Sequence, residues 1–186
     1  MQKYLFLDLD ECMVHSHYAS DEKHADELLD MYSEHWFGVK FHIRHDGWYV
    51  SFKRNWTDRL MKFARETYGN DNVFILSQAQ IDYVLWVNKY LDLGFDPNTN
   101  IYGREDIEVS QGNPKFKDSF NVLMDNESFG YHRKGYRNKV KFLNNLPMEQ
   151  YIKVDKFDVW TEPLGSQDEY LEYVKNRIVE TFSNEV

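Results

Sequence analysis

Three short apolar runs in this 186-residue chain each end on a side chain that can do chemistry. Tyr4-Leu5-Phe6-Leu7 runs into Asp8, Val73-Phe74-Ile75-Leu76 into Ser77, and Val122-Leu123-Met124 into Asp125 with Asn126 behind it. A run that is apolar at every position, not at alternate ones, suits a strand buried on both faces, as in a parallel sheet. Helical periodicities separate the runs. Trp56, Leu60, Phe63 and Ala64 follow the capping-type Asn55, and Ile81, Val84, Leu85 and Leu91 precede Gly94. Strands alternating with helices predict an α/β layered fold with a mostly parallel central sheet and crossover helices. In such sheets ligands gather beyond the carboxyl ends of the strands. The pattern therefore directs Asp8 with Asp10, Ser77, and Asp125 with Asn126 towards one edge.

The intervening segments are less regular. His15 to His35 is mostly polar and reads as loop, with a short helix around Ala25 to Met31. Phe37, Val39, Phe41 and Ile43 then alternate with polar or small residues, Asp46-Gly47 supplies turn chemistry, and Trp48, Val50 and Phe52 resume the alternation. That is a β-hairpin after the first strand. Residues 134–146 read as a helix, basic on its outside and halted by Pro147; one or two short strands follow between Ile152 and Trp160. Ser166 and Glu169 match a capping box ahead of Leu171, Val174, Ile178 and Phe182. No repeat, low-complexity tract or linker divides the chain. Residues 1–186 thus read as one domain, with 16–52 as a loop-plus-hairpin insertion.

Composition narrows the function classes. Apolar residues make up 42%, enough for a sizeable core. A net charge of -9 argues against broad, charge-driven binding to nucleic acid, which needs a basic face. One cysteine, Cys12, excludes an internal disulfide and a Cys-pair zinc site. No window approaches 18 apolar residues, and the opening residues are no signal peptide. A soluble, cytoplasmic protein without membrane contact is expected.

Phosphoryl transfer through an acyl-phosphate accounts for each reactive type. A carboxylate such as Asp8 can attack phosphorus without first losing a proton. It meets a phosphate of like charge, so a cation must screen the approach, and Mg²⁺ held by Asp8, Asn126 and nearby oxygens would do so. Asp10 could protonate the leaving oxygen and later deprotonate the attacking water, a role that needs a carboxyl of raised proton affinity. Ser77 can hold phosphoryl oxygens, and Lys117, just before the third run, can offset their charge.

These residues carry a resemblance. Leu5 to Ser16 (LFLDLDECMVHS) resembles the DLDETLVHS signature of haloacid-dehalogenase-type phosphatases, and within them the branch of RNA-polymerase C-terminal-domain phosphatases and NLI-interacting-factor-like relatives. Ile43 to Gly47 (IRHDG) and Lys53-Arg54-Asn55 are similar to that branch's IxxDG hairpin and KRP-type helix start. Phe74 to Ala79 corresponds to the VLFTAS-like strand, Lys115 to Asp118 to the lysine motif, and Asp125 to Ser128 to the DNSP or DDSP motif. The likeness covers roughly residues 3 to 130. It implies a Rossmann-like three-layer fold, Mg²⁺ dependence and phosphomonoester hydrolysis, with a phosphorylated protein as one substrate class. By motif position it implies Asp8 as nucleophile, Asp10 as general acid and base, and Ser77, Lys117 and Arg104 as phosphate ligands. Asp8, Asp10 through its carbonyl, Asp125 and Asn126 would surround the metal. Departures are Cys12 for threonine, Asn55 for proline, Ser77 for threonine and Glu127-Ser128 for Ser-Pro. Because the segments that differ choose the substrate, the phosphoprotein preference does not transfer directly.

Blander readings stand beside these. A lone DxD is common in loops, and Ser77 could be a strand-end serine. Cys12 reads as a packed small residue and not a redox nucleophile. His15, His17 and His24 suggest zinc only weakly, since loop histidines without cysteines are usually solvated. Arg104 either grips phosphate or pairs with Glu105 or Asp106. The basic run from His132 to Lys141 reads first as a solvated helix face, and second as an attractor of a nucleotide or nucleic-acid end. A non-catalytic binding module on the same fold is the remaining alternative, against which the clustering of Asp8, Asp10, Lys117 and Asp125 argues.

Overall fold

The computed structural model describes residues 1–109, 111–128, 134–162 and 167–184. Five strands form the central sheet: β1 (Gln2–Leu7), β5 (Val73–Leu76), β6 (Ile101–Tyr102), β7 (Ser119–Asp125) and β8 (Tyr151–Lys153), in the order β6-β5-β1-β7-β8 and parallel throughout. β1 is central because its apolar run has no solvated face to offer. Leu5 and Leu7 pack into one core, with α2 (Thr57–Tyr68), α3 (Ile81–Tyr90) and α6 (Asp168–Ser183). Phe6 faces the other, with Phe74, Phe116 and the residues Ile107 of α4 (Arg104–Val109) and Phe142 of α5 (Lys134–Phe142). Two helical layers thus sandwich the sheet, as expected from the alternation of strands and helices. Among the described residues no helix is long and apolar enough to cross a membrane.

A second, antiparallel sheet has the order β2-β4-β3. β3 (Phe37–Ile43) and β4 (Gly47–Lys53) are the expected hairpin, closed through His45 and Gly47 at positive φ. β2 (Val14–Ala19) lies where a loop was expected. Its polar sequence conceals it because both faces are used: Ser16 meets Ser51 across the ladder, while His15 and His17 enter an aromatic cluster with Tyr32, Phe157 and Trp160. His15 Nδ1 accepts from the Val159 N–H at 2.9 Å, and burial holds both imidazoles below their ordinary proton affinity. His24 instead accepts from the Ser20 N–H, at the start of α1 (Glu22–Tyr32).

Other boundaries shift for local reasons. α2 begins one residue late and lacks the Asn55 cap; its start is tied to the chain after β1 by the Arg54 N–H and the Thr57 hydroxyl, both donating to the Met13 carbonyl. α5 stops at Phe142, short of Pro147, where Asn144 and Asn145 take positive φ. One short strand, β8, forms in the region where one or two were expected. The expected capping serine, Ser166, lies outside the described residues, as do His132 and Arg133 of the basic run.

Arg54 links three segments. Only 2% exposed, it donates from Nε and Nη2 to Glu162 at 2.9 and 3.2 Å, and from Nη1 to the carbonyls of Cys12 and Asp155. Its guanidinium also lies 4.6 Å from the Trp56 ring centroid. Arg54→Met strands a buried Glu162 carboxylate and is expected to cost about 3–5 kcal/mol of stability. Urea unfolding measures it, and a loss under about 1 kcal/mol would show that the ion pair does not bind the C-terminal segment to the β1 turn.

Candidate active site

The sheet register brings the acids together. Leu7 pairs with Met124 across β1 and β7, so the next residues on each strand, Asp8 and Asp125, stand side by side at the carboxyl edge. On β1's other flank Leu7 pairs with Ile75, which sets Ser77 at the same edge. Beyond Asp8 the chain turns sharply, with Glu11 at φ 59° and the N–H groups of Met13 and Val14 both donating to the Leu9 carbonyl. This turn carries Asp10 back beside the strand ends. Asp8 and Asp125 are 6% and 1% exposed.

Lys139 joins them. Its Nζ donates to Asp8 Oδ1 at 2.6 Å and to Asp125 Oδ2 at 2.8 Å, and the residue is 3% exposed. Burial pulls the ammonium towards neutrality, but Asp125 and Asp8 outweigh it and keep it firmly protonated. Burial, followed by repulsion from Asp125, pushes the Asp8 carboxyl well above its ordinary range despite Lys139. Two carboxylates share one ammonium, so with both ionised the cluster carries one unbalanced negative charge.

Asp10 is held differently. Its Oδ1 accepts from the Tyr83 hydroxyl at 2.5 Å. Burial raises its pKa to about 6, against the opposing pull of the Tyr83 hydrogen bond and Lys139. Cys12, buried beneath the turn, is pushed far up by burial and by Asp8 and Asp125, so it is a neutral packed thiol. Ser77 is buried; its N–H donates to the Tyr102 carbonyl and its Oγ accepts from the Ala79 N–H. Arg104 is exposed at the start of α4, its Nε donating to the Gln78 carbonyl at 2.9 Å. It lines a cleft of about 290 Å³ with Asp46, Tyr49, Ala79, Gln80 and Tyr83, the last of which donates its hydroxyl to Asp10.

Lys117 is not brought to this edge. It is exposed and precedes β7, so the seven-residue length of that strand, roughly 20 Å, separates it from Asp125. Lys139, first read as part of a solvated basic face, occupies the place beside the acids. A signal for this was present: Lys139 lies three and four residues before the buried Phe142 and Leu143. That spacing puts it on the core side of α5.

The donor set bears on a metal. Among the described residues no three His, Cys, Asp or Glu side chains converge as a metal cluster. Asp8 and Asp125 are hard oxygen donors with an unbalanced charge, Asn126 follows directly, and the Asp10 carboxyl is engaged by Tyr83. Two carboxylates supplemented by neutral oxygens suit Mg²⁺, which commonly takes one or two carboxylates and keeps several waters.

Comparison with known proteins bears on the family and the fold. The family model described as NLI interacting factor-like phosphatase matches residues 3–159. No curated protein matches the sequence. Among solved structures, the fission yeast RNA polymerase II CTD phosphatase Fcp1-R271A bound to beryllium fluoride superposes with a TM-score of 0.57 at 16% identity, over 97% of this chain and 50% of that one. A second structure of Fcp1, described as an essential RNA polymerase II CTD phosphatase, gives a TM-score of 0.57 at 14% identity, over 97% and 49%. The chain therefore spans about half the length of these two structures, and at such identities the likeness is one of fold. With the family model covering most of its length, the chain belongs to the NLI interacting factor-like phosphatase family.

Proposed function

We propose that residues 1–186 form one Mg²⁺-dependent phosphomonoester hydrolase domain that works through an aspartyl-phosphate on Asp8 and acts on phosphorylated serine or threonine in proteins. The observation that carries this reading is the buried Asp8–Lys139–Asp125 cluster at the carboxyl ends of β1 and β7. Membership of a phosphatase family supports it.

Each side chain has a task. A carboxylate oxygen of Asp8 bonds to phosphorus, the ester P–O bond breaks, and its electron pair stays on the leaving oxygen, which takes the Asp10 proton. Asp10, now a carboxylate, then takes a proton from the attacking water. The new oxygen–phosphorus bond forms as the Asp8–phosphorus linkage breaks, and phosphate leaves. Lys139 keeps Asp8 oriented and offsets charge throughout. Ser77 and the neighbouring amides receive phosphoryl oxygens, and Arg104 guides the substrate through the cleft. Asp8, Asp125, Asn126 and the Asp10 carbonyl would hold Mg²⁺, which supplies screening of the phosphate charge when bound.

The test is hydrolysis of a phosphoserine peptide, p-nitrophenyl phosphate and a 3′- or 5′-phosphorylated oligonucleotide. With Mg²⁺ the peptide and the nitrophenyl ester are expected to be hydrolysed, and chelation with EDTA should lower kcat at least about 100-fold, reversibly on adding Mg²⁺. A strong preference for the oligonucleotide would move the substrate class to nucleic-acid ends. No turnover of any ester by folded, Mg²⁺-loaded protein would leave a binding module in place of an enzyme.

A further inference from the structure

Tyr83 stands between Asp10 and two serines that the reaction above does not use. Ser16 on β2 and Ser51 on β4 are directly opposed in the ladder, with their Oγ atoms 2.6 Å apart. The Tyr83 oxygen lies 2.5 Å from Ser16 Oγ and 2.5 Å from Asp10 Oδ1. A tyrosine hydroxyl has one proton, and the unprotonated oxygen of a carboxyl, whether the group is ionised or carries its proton on the other oxygen, can only accept. The Tyr83 proton therefore goes to Asp10, its oxygen accepts from Ser16, and Ser16 accepts from Ser51. All three hydroxyls point the same way, so each polarises the next. Ser51 is fully buried, which makes it the closed end of the chain.

The ring is as constrained as the hydroxyl. Tyr83 is 7% exposed and lies against Tyr49 and Phe41, at centroid separations of 5.4 and 6.3 Å. An aspartate carboxyl has a broad, roughly two-fold torsional preference, so without a partner its two oxygens would exchange roles. Here a fixed hydroxyl claims Oδ1.

We infer that Tyr83 is a positioning residue for the general acid: it holds Asp10 Oδ1 and so presents Oδ2, carrying the proton, to the leaving oxygen. This rests on the phosphatase reading. As the ester P–O bond breaks, the leaving oxygen keeps the electron pair and takes the proton from Oδ2. The negative charge then developing on Asp10 strengthens its hydrogen bond from Tyr83, because bonds to an ionised acceptor are the stronger ones. The contribution of Tyr83 must therefore grow with the leaving group's need for a proton. It is largest for an alkyl phosphate such as phosphoserine and smallest for p-nitrophenyl phosphate, whose leaving group departs as a stable anion.

The experiment compares Tyr83→Phe with wild type on both esters at saturating Mg²⁺. For the phosphoserine peptide kcat is expected to fall about 10- to 100-fold, and for p-nitrophenyl phosphate about 3-fold at most. KM should change less than about 3-fold on either. Ser16→Ala keeps the tyrosine and removes one hydroxyl of the chain; it should show the same bias towards the peptide at smaller size, and it decides the matter if Tyr83→Phe fails to fold by circular dichroism. Equal losses on the two esters, or a raised KM with unchanged kcat, would overturn the inference and make Tyr83 a packing or substrate-contact residue. Wild-type protein inactive on both esters would instead remove the phosphatase reading, and this inference with it.

Discussion

Asp8→Asn is expected to remove turnover, to below about one part in 10⁴ of wild type on any phosphomonoester, while leaving the fold intact. An amide oxygen is a poor nucleophile towards phosphorus, and no second carboxylate stands in the same position: Asp125 is bonded to Lys139 and to the Glu127 N–H, and Asp10 to Tyr83. The stability of the same variant supplies a control. In wild type two buried carboxylates share one ammonium, whereas Asp8→Asn leaves a balanced Lys139–Asp125 pair. In EDTA, thermal unfolding of the variant should therefore occur at the wild-type temperature or above it, an exchange of stability for activity common at reactive sites. Residual activity of a tenth of wild type would exclude Asp8 as the nucleophile. A marked loss of Tm would mean that its charge is structural.

Removing Lys139 should do the opposite and cost both properties. Lys139→Met conserves much of the volume but leaves Asp8 and Asp125 facing each other, buried, without a cation. Breaking one side of such a buried cluster is expected to cost about 3–5 kcal/mol of stability at neutral pH in the absence of metal. The loss of a preorganised positive charge should lower kcat/KM about 10²–10³-fold. Lys139→Arg is not expected to restore activity, because a planar guanidinium does not fit where a compact ammonium sits within 2.6 and 2.8 Å of two carboxylates. Lys117→Ala is the matched comparison. As an exposed residue at the far end of β7, it should change stability by no more than about 0.5 kcal/mol and leave kcat/KM unaltered. Should Lys117→Ala lose activity while Lys139→Met keeps it, the motif-based lysine would be correct and the cluster would be only structural.

The contrast between these two lysines shows how far sequence reading reached. Lys117 stands where a motif places a lysine, immediately before an apolar strand. Position along a chain says which end of a strand a residue is near, and Lys117 is at the amino end, away from the acids. Lys139 reads as part of a basic helix face because its neighbours Arg137 and Lys141 are basic. Its spacing to Phe142 and Leu143 is the better guide, since helical periodicity decides which side of α5 meets the sheet. Tyr83 offered a similar clue, falling beside Val84 and four before Val87 on the buried side of α3. Strand β2 gave no such signal. Its histidines and serines look like loop because strand propensity counts side-chain type, while Ser16 and His17 are held by partners from β4, α3 and the C-terminal segment.

Sequence alone determined that β1, β5 and β7 are buried strands and that Asp8, Ser77 and Asp125 sit at their carboxyl ends. A stretch apolar at every position must be covered on both sides, and a parallel arrangement then gathers those ends on one edge. Only the tertiary structure decided which cation neutralises the acids and which hydroxyl steadies Asp10. Lys139 reaches Asp8 across 131 residues of chain, and Tyr83 reaches Asp10 across 73. Contacts of that separation are set by how crossover helices pack back onto the sheet, and no pattern confined to one segment encodes them.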